Sequence, residues 1–160
     1  LALPIDEPGL EHTVLFEEDF VLAVPGDHHL AGAGDPVEVS VLADESVLLL
    51  EDGHCLRAQA LEVCELAGAS ERSGFRSTSL ETMRQMVAAG VGVTLLPRLA
   101  VSAPVPPSPS IRIREFADPV PCRRIALFWR TAAAHADFYR DRARSVRALP
   151  EGVVGPEDAP

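Results

Sequence analysis

Residues 75 to 101 read FRSTSLETMRQMVAAGVGVTLLPRLAV, and how this run divides decides the fold class. Its first residues complete a β-rich segment near 74–78. Thr78 followed by Glu81 has the spacing of a capping box, and Leu80, Met83 and Val87 then recur on one helical face. A helix is therefore predicted over Ser79–Ala89, stopped by Gly90, with Met83 and Met86 as core filler. After Gly90-Val91-Gly92 the apolar run Val93-Thr94-Leu95-Leu96-Pro97 reads as a buried strand ending at a proline. Strand, helix and strand in succession point to an α/β architecture with the helix packed on a sheet.

Working outward, further strands are expected near 1–4, 14–24, 47–50, 111–116 and 124–130. A short helix is expected over Val39–Asp44, a longer one over Cys55–Ala67 stopped by Gly68, and a final one from about Ala132 to Ala148. That last helix gathers Arg140, Arg144 and Arg147 on one face, with Phe138, Val146 and Leu149 near another. The proline-rich run APVPPSPS at 103–110 favours an extended connector, read as a crossing between two lobes. The tail from Glu151 to Pro160 is expected to be poorly ordered. The opening Leu-Ala-Leu-Pro-Ile resembles the end of a strand, so further chain is expected upstream.

The 160 residues are 47% hydrophobic, enough for one sizeable core or two lobes sharing a hinge. Apolar runs such as Val47–Leu50 are far shorter than the ~20 residues of a membrane helix. With no basic segment ahead of an apolar one, we expect a soluble, cytoplasmic chain without membrane contact. A net charge of −10 argues against this segment gripping a phosphate backbone, which Lys and Arg would have to neutralise. All fourteen basic residues are Arg and none precedes Arg57. The uneven charge reads as a solvated acidic part and a solvated basic helix, and the absence of Lys and Asn points to GC-rich coding.

Three cysteines do not make a disulfide scaffold, so free thiols are expected. Cys55 and Cys64 lie in EDGHCLRAQALEVC, residues 51–64. Nine residues on an α-helix turn the chain about 900° and advance it about 14 Å, which puts the two on opposite faces. A disulfide needs Cα atoms within about 7 Å, so joining them requires at least part of the helix to unwind. Bonding would be a conformational event. His54 and Arg57 flank Cys55 at the expected helix N-terminus, and all three influences favour the nucleophilic thiolate. Cys64 has Glu62 and Glu65 as neighbours instead. One nucleophile and one resolving thiol is the asymmetry that sulfenate-to-disulfide chemistry uses, and two ordinary buried thiols are the bland alternative.

Other chemistries have less support. His28, His29, His54 and the cysteines could ligate zinc, but no Cys-x-x-Cys or His-x-x-x-His spacing occurs, and His28-His29 follow Pro25-Gly26-Asp27 in a loop. No metal site and no cofactor is expected. Cys122 beside Arg123 and Arg124 reads as a structural or incidental thiol. There is no Gly-x-Ser-x-Gly elbow, and Gly90-Val91-Gly92 lacks the third glycine and following helix of a phosphate loop. Ser77-Thr78-Ser79 could hold a small anion, but plain helix capping is the simpler reading.

EDGHCLRAQALEVC together with FRSTSLETMRQMVAAGVGVTLLPRLAV resembles the regulatory domains of the OxyR family, the peroxide-sensing LysR-type transcriptional regulators. The run from Ser79 to Pro97 is shared broadly among LysR-type effector domains, whereas Gly-His-Cys with a second cysteine nine residues on belongs to the peroxide sensors. The resemblance implies two α/β lobes like those of type 2 periplasmic binding proteins. Residues 1–16 would end the first half of lobe one, 17–101 would form lobe two, and 102–150 would return to lobe one. It also implies that Cys55 is the peroxidatic cysteine, Cys64 the resolving one, His54 and Arg57 the flanking groups, and Arg123 an arginine near the redox centre. The family often has Asp where Ala58 stands here. The implied partners are hydrogen peroxide, a second copy in a homo-oligomer, promoter DNA through a separate helix-turn-helix, RNA polymerase and thiol reductants that reset the switch. An effector domain for a small organic ligand, with passenger cysteines, is the alternative. A thiol peroxidase would need turnover, and no enzyme is expected.

Overall fold

Leu10–Pro25 forms one long strand, β1, that takes part in both compact units of the chain. The computed structural model describes residues 1–5, 7–32, 36–53, 55–103 and 105–147, with the backbone alone for 70–75. One unit comprises Leu1–Asp19 and the chain from Cys122 onward; the other is Phe20–Pro121. The expected tail 151–160 lies outside the described residues.

In the Phe20–Pro121 unit, β1 is joined by β2 (Ser46–Leu50), β3 (Ser70–Ser77), β4 (Val93–Pro97) and β5 (Ile111–Arg114). The strand order is β3-β2-β4-β1-β5, with β2 parallel to both β3 and β4, and β1 antiparallel to β4 and β5. Parallel neighbours need covering on both faces, and the sequence supplies it. β2 and β4 are buried almost throughout, and α1 (Cys55–Ala67) and α2 (Leu80–Ala88) provide the crossovers. Phe20, Leu22, Leu42, Leu48, Met83 and Leu96 are the centre of this core. Met83 is core filler, and the Thr94 hydroxyl, which donates to the Leu48 carbonyl at 2.8 Å, lies against its sulphur.

The helix expected at 79–89 is present with a shifted start. Ser79, not Thr78, is the N-cap: its Oγ accepts from the Thr82 N–H at 3.1 Å, while Glu81 accepts from Gln85 instead. Ser77 is buried, and its hydroxyl donates to the Ser79 carbonyl at 2.7 Å, so this cluster is spent on the turn. Val39–Asp44 is helical as expected, in 3-10 form. The segment 102–121, read from the sequence as opening the return crossing, packs within this unit. β5 pairs with Leu22–Pro25, and Val37 bridges to Phe116.

In the other unit, Leu10–Asp19 of β1 pairs antiparallel with β6 (Cys122–Arg130), with a register shift between Val14 and Phe16. The strand expected at 1–4 is reduced to a bridge between Ala2 and Ile125, with a bond from the Leu3 N–H to the Arg124 carbonyl at 2.9 Å and a reciprocal pair between Leu1 and Ala126 at 2.8 Å each. Pro4 has no N–H with which to continue the ladder. The last helix, α3 (Ala136–Arg147), begins four residues later than expected. It is tied to this sheet by Arg140 to Glu11 at 3.0 Å, by Arg147 to the Val14 carbonyl at 2.8 Å, and by Tyr139 stacking on Trp129. No helix among the described residues is long and apolar enough to cross a membrane.

Candidate redox site

α1 starts where it does because β2 ends in a turn, Glu51-Asp52-Gly53, whose glycine has a φ of +94°. That left-handed geometry suits Gly and strains any residue with a Cβ. From Cys55 the helix buries Leu56, Ala60, Val63 and Cys64, a stripe at helical spacing that rests on the sheet. It ends in a Schellman motif. Gly68 has a φ of +69°, the Ala69 N–H donates to the Cys64 carbonyl at 2.8 Å, and the Gly68 N–H donates to the Glu65 carbonyl at 3.1 Å.

The two thiols therefore sit at opposite ends and on opposite sides of one intact helix. Neither is in a disulfide; Cys64 is buried at 2% exposure and Cys55 is exposed. Half a helical turn from the buried stripe and on the first residue of α1, Cys55 faces outward. The Cys64 backbone helps terminate the helix while its side chain fills the core, so it cannot approach Cys55 without undoing both.

Arg57 is held from two sides. Its Nε donates to Asp52 Oδ1 at 2.8 Å and its Nη1 to the Leu50 carbonyl at 3.0 Å, and the residue is 8% exposed. Asp52 uses its other oxygen for Arg76 on β3, also at 2.8 Å. One carboxylate thus clamps the start of α1 to the end of β3, across the top of β2. Asp52 was not singled out from sequence, because both of its partners are remote in the chain or hidden by the turn. His54, expected to flank the sulphur, lies outside the described residues. Ala58 is exposed.

Arg123 belongs to the unit of β6. Its Nε and Nη2 engage Glu18 Oε2 at 2.8 and 2.7 Å, and Glu18 is fully buried. The structure thus gathers Cys55, Arg57 and Cys64 on α1 and places Arg123 on a strand of the other unit. Cys122, adjacent to it, is exposed as a residue, yet partial burial of the thiol and then the Glu17 and Asp19 carboxylates push its pKa up against the opposing pull of Arg124. That keeps it protonated and a poor nucleophile, as an incidental thiol should be.

The model of the LysR substrate binding domain family matches residues 1–147. A protein of Streptomyces viridosporus described as a probable hydrogen peroxide-inducible genes activator is 44% identical over 148 residues, covering 92% of this chain and 47% of the relative. The chain spans about half the length of the curated relatives it matches. Among solved structures, the reduced form of OxyR superposes with a TM-score of 0.80 at 38% identity, over 94% of this chain and 69% of that one. The oxidised form of OxyR gives 0.78 at 42% identity, over 92% and 69%.

Proposed function

The chain belongs to the LysR substrate-binding domain family and, within it, to the OxyR regulatory domains, of the two-lobed α/β type; from that premise we propose that it senses hydrogen peroxide for a LysR-type transcriptional regulator. The reaction has two steps. The Cys55 thiolate attacks one peroxide oxygen, the O–O bond breaks, and hydroxide leaves to be protonated as water, which gives a Cys55 sulfenic acid. The Cys64 thiolate then attacks the Cys55 sulphur, the sulfenic oxygen departs as water, and a disulfide forms. Peroxide is reduced by two electrons and the two thiols are oxidised by two. A cytosolic dithiol returns the electrons.

The observation that carries this reading is the placement of an exposed Cys55 and a buried, helix-terminating Cys64 on one 13-residue helix. Trapping the pair in a bond must remodel α1, which makes the helix the two-state element of a redox switch. In the regulator this would rearrange a homo-oligomer and change contacts with promoter DNA and RNA polymerase. The Phe20–Pro121 unit would be lobe two, and the unit of Leu1–Asp19 with the chain from Cys122 onward would supply part of lobe one. The action is stoichiometric signalling rather than turnover.

The test is alkylation followed by mass spectrometry after one equivalent of peroxide. Both Cys55 and Cys64 should become protected as a linked pair, and Cys55→Ser should leave Cys64 free. Two free thiols on a folded, peroxide-treated chain would overturn the proposal. If reporter transcription in response to a small organic metabolite survived Cys55→Ser, the effector-domain reading would replace it.

A further inference from the structure

We propose that His28, His29 and Glu45 form a binding site for a divalent transition cation of the zinc class, separate from the thiols of α1. All three residues belong to the Phe20–Pro121 unit. The turn Pro25-Gly26-Asp27 closes through the His28 N–H on the Pro25 carbonyl at 3.1 Å, which presents the two histidines side by side at the start of the 3-10 helix His29–Gly32. Glu45 arrives from sixteen residues further on, in the single step between the 3-10 helix Val39–Asp44 and β2.

The carboxylate is nearly buried, at 8% side-chain exposure, and each of its oxygens meets a different imidazole: His28 Nε2 to Oε2 at 3.3 Å and His29 Nε2 to Oε1 at 3.2 Å. One donor atom from each residue lies within 4.8 Å of the others, and the ring centroids are 4.3 Å apart. Zinc bonds of about 2.0–2.1 Å at tetrahedral angles put neighbouring donors about 3.3 Å apart, so each histidine–carboxylate distance is already in range and the set, within 4.8 Å, needs only a small inward movement to share an ion. Two imidazoles and one carboxylate make a borderline donor set that favours Zn²⁺ and its neighbours over Mg²⁺ or Ca²⁺, and leave positions open to solvent on the His29 side, where exposure is 70%. No Lys or Arg precedes Arg57, so the sequence places no cation near these residues in the chain to compete for the carboxylate.

The competing account is a hydrogen-bonded pair of histidines that ties the turn to the entry of β2. It already accounts for one detail: the Leu30 N–H points at His28 Nδ1 at 3.4 Å, a long contact that a metal on Nε2 would exchange for an Nδ1–H. The proposal therefore has a small local cost and a distinct donor count. Sequence spacing missed the site because the third donor is remote in the chain.

The experiment is calorimetric titration of ZnCl2 into the whole chain carrying Cys55→Ser and Cys122→Ser, so that the exposed thiols do not contribute, with a parallel Co²⁺ absorption spectrum. One ion per chain is expected, with cobalt d–d bands and no thiolate charge-transfer band. Since losing even a supporting partner of a ligand costs about 10–100-fold in affinity, His29→Gln and Glu45→Gln should each weaken binding at least about tenfold. Zinc should also raise the melting temperature of the parent but not of His29→Gln. Absence of binding at millimolar zinc, or equal affinity in parent and His29→Gln, would overturn the proposal. His29 is exposed, so that variant is expected to fold even if Glu45→Gln does not, and its melt without metal checks this.

Discussion

Oxidising the chain with one equivalent of peroxide should cost it helix, and the amount can be worked out. Cys55 and Cys64 are nine residues apart on a continuous helix, about 14 Å between Cα atoms, and a disulfide tolerates about 7 Å at most. No rotamer change spans that gap, so part of the segment from Cys55 to Cys64 must leave helical geometry. The described α-helices have 13, 9 and 12 residues, so loss of the whole segment would remove close to a third of the α-helical content. The ellipticity at 222 nm should fall on oxidation, by up to about a third, and recover with dithiothreitol. The Cys64→Ser chain should show no change. A linked pair proved by mass spectrometry alongside an unchanged 222 nm signal would refute the geometric reasoning.

The same remodelling fixes the expected redox behaviour. Unwinding pulls Leu56 and Val63, now 7% and 6% exposed, off the sheet. At about 1.5–3 kcal/mol for each aliphatic side chain, the disulfide form forgoes about 3–6 kcal/mol of burial. For a two-electron couple 1.4 kcal/mol is about 30 mV, so the reduction potential should lie about 60–130 mV above that of a disulfide the fold accommodates. Structural disulfides lie below about −300 mV, which leaves this one within reach of dithiol reductants of the thioredoxin class. A glutathione titration giving −300 mV or lower would show that the helix does not oppose the bond.

Three further perturbations follow. Arg123→Ala removes an ionic partner of the Glu18 carboxylate, which is fully buried, and should cost up to about 3–5 kcal/mol in urea denaturation; a loss under 1 kcal/mol would refute a stabilising role for the pair. Ser79→Ala removes the acceptor for the Thr82 N–H and should cost about 1 kcal/mol, whereas Thr78→Ala should cost less, since it is not the cap. The raised pKa of Cys122 means that the folded chain holds this proton to higher pH than the unfolded chain does. Any stability from this group is intact at neutral pH and is lost as pH rises from the ordinary thiol value through the raised one. Iodoacetamide at pH 8 should modify Cys122 more slowly in the folded than in the unfolded chain, and equal rates would contradict the shift.

What the sequence made legible were the features with local causes. α2 and β4 follow from a cap, a 3.6-residue stripe and an apolar run ending at proline, and α1 from its stripe between Gly53 and Gly68. The cap itself was misplaced by one residue because Ser77, Thr78 and Ser79 offer three adjacent hydroxyls, and only the backbone geometry selects among them. β3 begins at Ser70 rather than near 74 because SERS has no apolar alternation; pairing with β2, not its own composition, makes it a strand.

The harder residues are those whose partners are remote. Glu17-Glu18-Asp19 reads as a solvated acidic run, yet the period-2 alternation of a strand sends Glu18 inward, directly opposite Arg123 in the β1–β6 register. Asp52 and Glu45 are likewise ordinary turn acids until the fold brings Arg57 and Arg76 to one and His28 and His29 to the other. The cysteine pair escapes this difficulty because its constraint is internal to one helix: nine residues place the thiols half a rotation out of phase wherever that helix packs. Spacing therefore gives the proposed switch its mismatch in advance, while the exposure of Cys55 depends on which face the sheet takes, a choice made by Leu56, Ala60, Val63 and Cys64 together.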